Sequence, residues 1–217
     1  MIAPVEPEAP RVWYAWFQLP FPMFDYLARV GEPIRYGYMT QRFPLADYQT
    51  IFASEPGSSE MPSAARPFTP RVMLSLEARG VEFATVTLHC GVASFEAPER
   101  PASERYAVSR ETAAVVNAAR QDGRRVIAVG TTVVRALESS VRQGDVIASS
   151  GWTDLLIDEH SLLRAVDALL SGFHGATATH RALLRAFADS DLLEEAYAVA
   201  TEDAYFCHEF GDVHLLL

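Results

Sequence analysis

The stretch that most constrains this chain is Arg124-Arg-Val-Ile-Ala-Val-Gly-Thr-Thr-Val-Val-Arg-Ala-Leu-Glu138. Four apolar residues, 126–129, run into Gly130, two threonines and a helical pattern. The order reads as a buried strand, a tight turn and a helix N-terminus. In an open α/β sheet, ligands sit outside the carboxyl end of such a strand. A helix that begins there offers free backbone N–H groups, with the Thr131 and Thr132 hydroxyls beside them. Arg135, one turn further in, can carry a positive charge to the same edge. The same residues also suit a plain capped helix after an ordinary strand, and spacing alone does not choose between the two.

A chain of 217 residues suits one large domain or two small ones, and half its residues are apolar, enough for a sizeable core. The net charge of −10 argues against a broad non-specific nucleic-acid surface but leaves room for a local basic patch. The two cysteines, Cys90 and Cys207, form neither a disulfide framework nor a C-x-x-C pair, so no metal is expected. The first ten residues are acidic and proline-rich, with no basic region and no apolar run, unlike a signal peptide. No apolar run is long enough to span a membrane. The expectation is a soluble, cytoplasmic protein.

Residues 1–30 read as an N-terminal extension, partly disordered and dense in aromatics from Trp13 to Phe24. That aromatic surface calls for packing against the main domain or another chain. Residues 31–217 read as a single α/β domain. Within it, Thr69 caps a helix with Pro70 at its first position and Gly80 past its end. Residues 81–88 form a β-rich run ending at His89-Cys90-Gly91. A Pro/Glu/Arg-rich loop covers 98–105, and Ser109 caps a helix that Gly123 ends. Strand 81–88, helix 109–122 and strand 125–129 then form a βαβ crossover, which brings His89 and Gly130-Thr-Thr132 to one edge of a parallel pair. A third strand is expected at 151–157, strand or helix at 162–170, and helices at 177–188 and 191–201, the last capped by Asp191. A short strand closes the chain.

Three histidines, His89, His174 and His208, stand in loops at element ends, where a ring can serve chemistry or simply satisfy backbone groups. Gly130-Thr-Thr suits an anion or ribose hydroxyls. No P-loop, G-x-G-x-x-G or G-x-S-x-G pattern is present, so the common nucleotide and hydrolase folds are not indicated. Physical reading alone arrives at an α/β domain whose ligand edge is built from 89–95, 130–135, 172–175 and 209–212.

Those stretches, in that order, resemble the S-adenosylmethionine:tRNA ribosyltransferase-isomerase family of queuosine biosynthesis. Tyr48-Gln-Thr-Ile-Phe-Ala53 with Glu55-Pro-Gly57 is similar to the family's Y-Q-T-V-[YF]-A…E-P-G. Val86-Thr-Leu-His-Cys-Gly91 with Ser94-Phe95 is similar to V-T-L-H-V-G-x-G-T-F, and 126–138 to I-A-V-G-T-T-x-x-R-x-L-E. Gly151-Trp-Thr-Asp154 resembles G-x-T-D, Gly172-Phe-His174 resembles N-F-H, and Phe210-Gly-Asp212 resembles Y-G-D. The likeness covers about residues 30–217. It implies an α/β fold with a mixed or mainly parallel, barrel-like sheet. It also implies S-adenosylmethionine as co-substrate, with no metal, and transfer and rearrangement of its ribosyl moiety onto 7-aminomethyl-7-deazaguanine in tRNA, giving epoxyqueuosine.

The resemblance also suggests roles. Thr131, Thr132 and Arg135, with Gly91, Gly130, Trp152, Thr153 and Phe173, become candidates for binding the co-substrate. His89 and His174 become candidates for acid–base work, and Asp212 for orienting one of them or binding the ribose. The chain departs from the pattern too. It lacks most of the family's N-terminal part and its inserted small β-barrel. The family's P-T-A-G-L-H-F-T is Pro62-Ser-Ala-Ala-Arg-Pro-Phe-Thr69 here, without the histidine. The H-x-M-H-x-E segment is shortened to 98–106, with Glu104 as its remnant. Two basic residues near 176 and 206 are missing. These departures leave two alternatives to the tRNA acceptor: a small-molecule acceptor in specialised metabolism, and a non-catalytic subunit completed by a partner chain. Homo-oligomer formation is a further expectation of the same kind.

Overall fold

A computed structural model of the chain describes residues 2–4, 13–34, 41–91, 103–173, 180–207 and 210–217. The chain divides into two units, Met1–Leu45 and Ala46–Leu217. In the first, β1 (Ile2–Pro4) pairs antiparallel with β2 (Trp13–Ala15), and α1 (Met23–Val30) follows. The lead expected to be disordered or extended is therefore a strand over its first described residues. The α1 helix stops at Gly31, whose N–H donates to Leu27 O; a Cβ there would lie 2.5 Å from that same carbonyl oxygen. Its aromatics are largely exposed, with Arg29 seated 4.1 Å over the Phe21 ring.

The single turn α2 (Leu45–Tyr48) opens onto the larger unit, which contains a short 3-10 turn (Ser63–Ala65) and α3 (Pro70–Glu77). The Thr69 side chain accepts from Val72 N–H, and Pro70 takes the first helical position, as the sequence predicts. Then come β3 (Thr87–His89), β4 (Glu104–Val108), α4 (Arg110–Gln121), β5 (Ile127–Val129) and α5 (Thr131–Ser139). A tight hairpin, β6 (Val141–Arg142) and β7 (Asp145–Val146), turns on Gln143 and Gly144, both at positive φ. After it lie β8 (Ser149–Thr153), β9 (Ala168–Gly172), α6 (His180–Leu184), α7 (Ser190–Glu202) and β10 (Val213–Leu216).

Apart from the β1-β2 and β6-β7 pairs, the strands form two three-stranded sheets rather than one large one. One has the order β10-β9-β5, antiparallel then parallel; the other, β3-β4-β8, is antiparallel throughout. The fold is thus mixed α/β, and β5 with β9 is the one parallel pair among the described strands. The expected βαβ crossover is not formed. β3 pairs with β4, and α4 carries the chain from β4 in one sheet to β5 in the other. The missing piece is β4, which the sequence reading assigned to a loop. Its alternation of buried Glu104, Tyr106 and Val108 with outward Arg105 and Ala107 is the period-2 pattern of a half-buried strand.

α5 lies between the two sheets and contacts strands of both. Its Val134 and Ala136 are fully buried, and Leu137 nearly so. They join Ala128 of β5, Leu169 of β9, Val116 of α4 and Leu184 of α6 in one core. α4 buries Thr112, Ala113, Val116 and Ala119, one stripe at helical spacing, and Ser109 caps it by accepting from Thr112 N–H. The amide of Asn117 bonds both the N–H and the carbonyl of Val146, which fastens the β6-β7 hairpin to α4. α7 is capped by Asp189, not Asp191: the Asp189 carboxylate accepts from the N–H groups of Asp191 and Leu192. No helix among the described residues is long and apolar enough to cross a membrane.

Candidate functional site

The parallel pair β5 and β9 ends at one edge, where β10 begins. Gly130 N–H donates to Leu170 O at 2.9 Å, which locks the end of β5 to β9. Gly130 has φ +99°, a left-handed value that favours glycine, while a Cβ there would meet only ordinary contacts with Thr132 and Ala64. The constraint is therefore the turn, which swings the chain straight into α5. The N-cap of α5 is a glycine and offers no side-chain cap, so the first N–H groups of the helix depend on partners from outside the turn. The buried turn Ser63–Ala65 lies against Gly130 and β9.

The end of β3 reaches the same helix from the other sheet. The Cys90 thiol faces the Thr132 hydroxyl, which favours its charged form. Burial pushes the Cys90 thiol up to about 12, helped by the carboxylates of Glu104 and Glu60. The loop at 57–59 is stitched to β3: Ser58 Oγ donates to Leu88 O and accepts from Cys90 N–H, and Ser59 N–H donates to Cys90 O at 2.8 Å. Gly57 packs so closely on the His89 ring that a Cβ would lie 2.5 Å from Nδ1. That nitrogen is buried, with no hydrogen-bond partner among the described residues. The sequence reading put His89 and Gly130-Thr-Thr132 at one edge of a single parallel pair; instead β3 and β5 stand in different sheets, and β3 contacts α5.

Arg135 does not carry a free charge to this edge. It is buried and forms an ion pair with buried Glu104, while its Nε donates to Leu155 O and one terminal nitrogen to Thr153 O. Its guanidinium ties α5 to β4, to the end of β8 and to Leu155 just beyond it. Burial raises the Glu104 carboxyl above the ordinary range, Glu60 adds to the rise, and Arg135 opposes both. The Gly91 N–H also donates to Glu104. Thr153 is another tie: its hydroxyl bonds Ser139 Oγ at 2.6 Å and accepts from Leu155 N–H. Glu138 holds the approach to β9 by accepting from the N–H groups of Arg164, Ala165 and Val166. Trp152, the neighbour of Thr153, points the other way and is 71 % exposed.

Phe173 and Asp212 stand together across the edge. Asp212 O accepts from Phe173 N–H, and its carboxylate accepts from Phe206 N–H at 2.9 Å. The Phe173 ring is buried, stacked on His214 at 4.5 Å and edge-on to Tyr197 and Tyr205. Burial holds the His214 imidazole below its usual range, against a backbone hydrogen bond at Gly172. Phe210 is bracketed by Tyr48, edge-on at 4.9 Å, and by Arg66 at 4.4 Å. His174 and His208 lie outside the described residues. His180, which sequence reasoning passed over inside its expected helix, sits near Arg135. Burial, and then that positive charge, lowers its imidazole pKa. Cys90 and Glu60 were missed as well, and Glu104 was read only as the remnant of a family segment. Cys90 had a legible signal, since it interrupts a motif between two candidates.

A sequence profile described as "queuosine biosynthesis protein" matches residues 6–216, nearly the whole chain. The chain belongs to this queuosine biosynthesis family. Among relatives of the family, the S-adenosylmethionine:tRNA ribosyltransferase-isomerase of Moorella thermoacetica is 41% identical over 182 residues, which are 78% of this chain and 52% of that protein. The enzyme of the same name from Thermus thermophilus is 40% identical over 199 residues, 88% of this chain and 58% of that one. A solved S-adenosylmethionine tRNA ribosyltransferase from Thermotoga maritima superposes with a TM-score of 0.62 at 38% identity, over 71% of this chain and 51% of that one. The chain therefore spans about half the length of the family members it matches.

Proposed function

We propose that the chain is an S-adenosylmethionine-dependent ribosyltransferase-isomerase. In this reading it transfers and rearranges the ribosyl group of S-adenosylmethionine onto 7-aminomethyl-7-deazaguanine in tRNA. The observation that carries the reading is the meeting of α5, which starts from the Gly130 turn, with β3, whose end runs into His89-Cys90-Gly91, inside a family whose curated members bear that activity in their names.

The chemistry asks for few groups. A base takes the proton from the 5′ carbon that the sulfonium acidifies, and adenine leaves. The acceptor amine then attacks the sugar, and closure of the epoxide expels methionine. Anions are favoured at a helix N-terminus by free N–H groups and the helix dipole. The α5 N-terminus with Gly130, Thr131 and Thr132 therefore takes the methionine carboxylate or the ribose hydroxyls. Arg135 acts from behind, as the tie that fixes the helix. His89, at the end of β3, and His174 are the candidate proton acceptors, and Asp212 stands across the edge. A Cys90 thiol near 12 stays protonated at neutral pH and so does not compete as a nucleophile for the electrophilic sugar.

The test is turnover of S-adenosylmethionine with tRNA that carries the aminomethyl-deazaguanine base, following adenine and methionine release. Stoichiometric release of both, dependent on the tRNA, is expected. Binding of S-adenosylmethionine with no release of either product would overturn the reading.

A further inference from the structure

The inner face of β3-β4-β8 is spent on α5, and the outer face is unassigned. The strand register fixes what that outer face presents. His89 pairs with Arg105 and Arg105 with Trp152, so these three side chains form one cross-strand row. Thr87, Ala107 and Ser150 form the next row on the same side. We propose that this face docks an unpaired nucleotide of an RNA loop, with Trp152 as the platform for a base and Arg105 as the contact for a phosphate. The proposal rests on the RNA acceptor put forward above and assigns it a place on the surface.

The chemistry of the face selects this occupant. Trp152, 71 % exposed, offers an open aromatic face. Stacking on an aromatic ring requires a base that has left its own stack, which is how unpaired RNA is recognised and duplex RNA is not. The chain carries 28 acidic residues against 18 basic ones, yet the outward positions of these three strands hold one guanidinium and no carboxylate. Beside the second row lies an open depression whose lining includes the hydroxyls of Thr85, Thr87 and Ser150, suited to ribose and phosphate oxygens, while those of Ser109 and Ser149 are bonded within the protein. No charged residue lines it. The first row also leads to the proposed reaction centre: two strand spacings, about 10 Å, separate Trp152 from His89.

The experiment titrates a labelled RNA stem-loop with a single-stranded loop into the full chain at low and physiological salt, following anisotropy. S-adenosylmethionine affinity is measured on the same samples by calorimetry. Trp152→Ala is expected to weaken RNA binding by about fivefold or more, and Trp152→Phe to retain most of it. Arg105→Gln is expected to lower the salt slope by about one. The Trp152 ring lies in solvent, and melting curves verify that the variants fold. If the wild type binds RNA and both Trp152→Ala and Arg105→Gln bind equally well, the face is wrong and the acceptor reading stands. If Trp152→Ala loses S-adenosylmethionine and keeps RNA, Trp152 belongs to the co-substrate site and the proposal falls. If the wild type binds no RNA at either salt, the acceptor reading falls and takes the proposal with it.

Discussion

His214 illustrates how a single side chain couples the site to stability. Its ring stacks on Phe173, at the edge where Asp212 also stands, and burial lowers its pKa below the ordinary 6.5. A histidine whose folded pKa is depressed binds fewer protons folded than unfolded over the interval between the two values. Its contribution is complete above 6.5 and is lost as pH falls through the folded pKa. His180 shifts in the same direction, and the raised Glu104 carboxyl works in the opposite sense. The comparison that isolates His214 is therefore wild type against His214→Phe, a ring that preserves the stack. Urea unfolding from pH 7 downward is expected to show the wild type losing stability relative to the variant, with a slope of at most one proton. A difference independent of pH would mean that the imidazole titrates alike in both states. Such a residue was not legible beforehand. The sequence shows a histidine in a terminal strand, and only the fold shows which rings surround it.

At the scale of elements, legibility followed the strength of local signals. Thr69-Pro70 and Ser109 marked their helices correctly, because a cap is a short-range hydrogen bond that the sequence spells out. The β4 strand was misread because Pro and Glu before it look like loop, although Glu-Arg-Tyr-Ala-Val alternates correctly for a strand. Glu104 itself is the reason: a buried carboxylate breaks the apolar pattern and is intelligible only once Arg135 stands opposite. Two motif residues, Arg135 and Glu138, turned out to hold elements together, so the proposal that this stretch binds the co-substrate rests on the N-terminus of α5 and the Thr132 hydroxyl. Thr132→Val removes that hydroxyl at nearly constant volume. A single hydrogen bond contributes about 0.5–1.5 kcal/mol, so the S-adenosylmethionine dissociation constant should rise roughly 2- to 10-fold by calorimetry. An unchanged constant would place the ligand elsewhere, with the hydroxyl serving Cys90 alone.

At the scale of the whole molecule, six short motifs in a fixed order carried the family, while periodicity could not distribute the strands between two sheets. Charge is the property that acts at this scale. A net charge of −10 repels any polyanion, and repulsion of this kind does not distinguish duplex from loop. Binding of RNA by such a chain therefore has to come from local recognition that outweighs the mean field. Duplex RNA of the same length carries comparable phosphate charge but keeps its bases stacked and offers none to an aromatic platform. Added as unlabelled competitor at physiological salt, the duplex should displace a bound stem-loop at least tenfold less effectively than the unlabelled stem-loop itself. Equal competition would mean that the attraction is electrostatic alone. For a protein this acidic, that result would put the recognising surface on a basic patch rather than on an open sheet face with a single arginine.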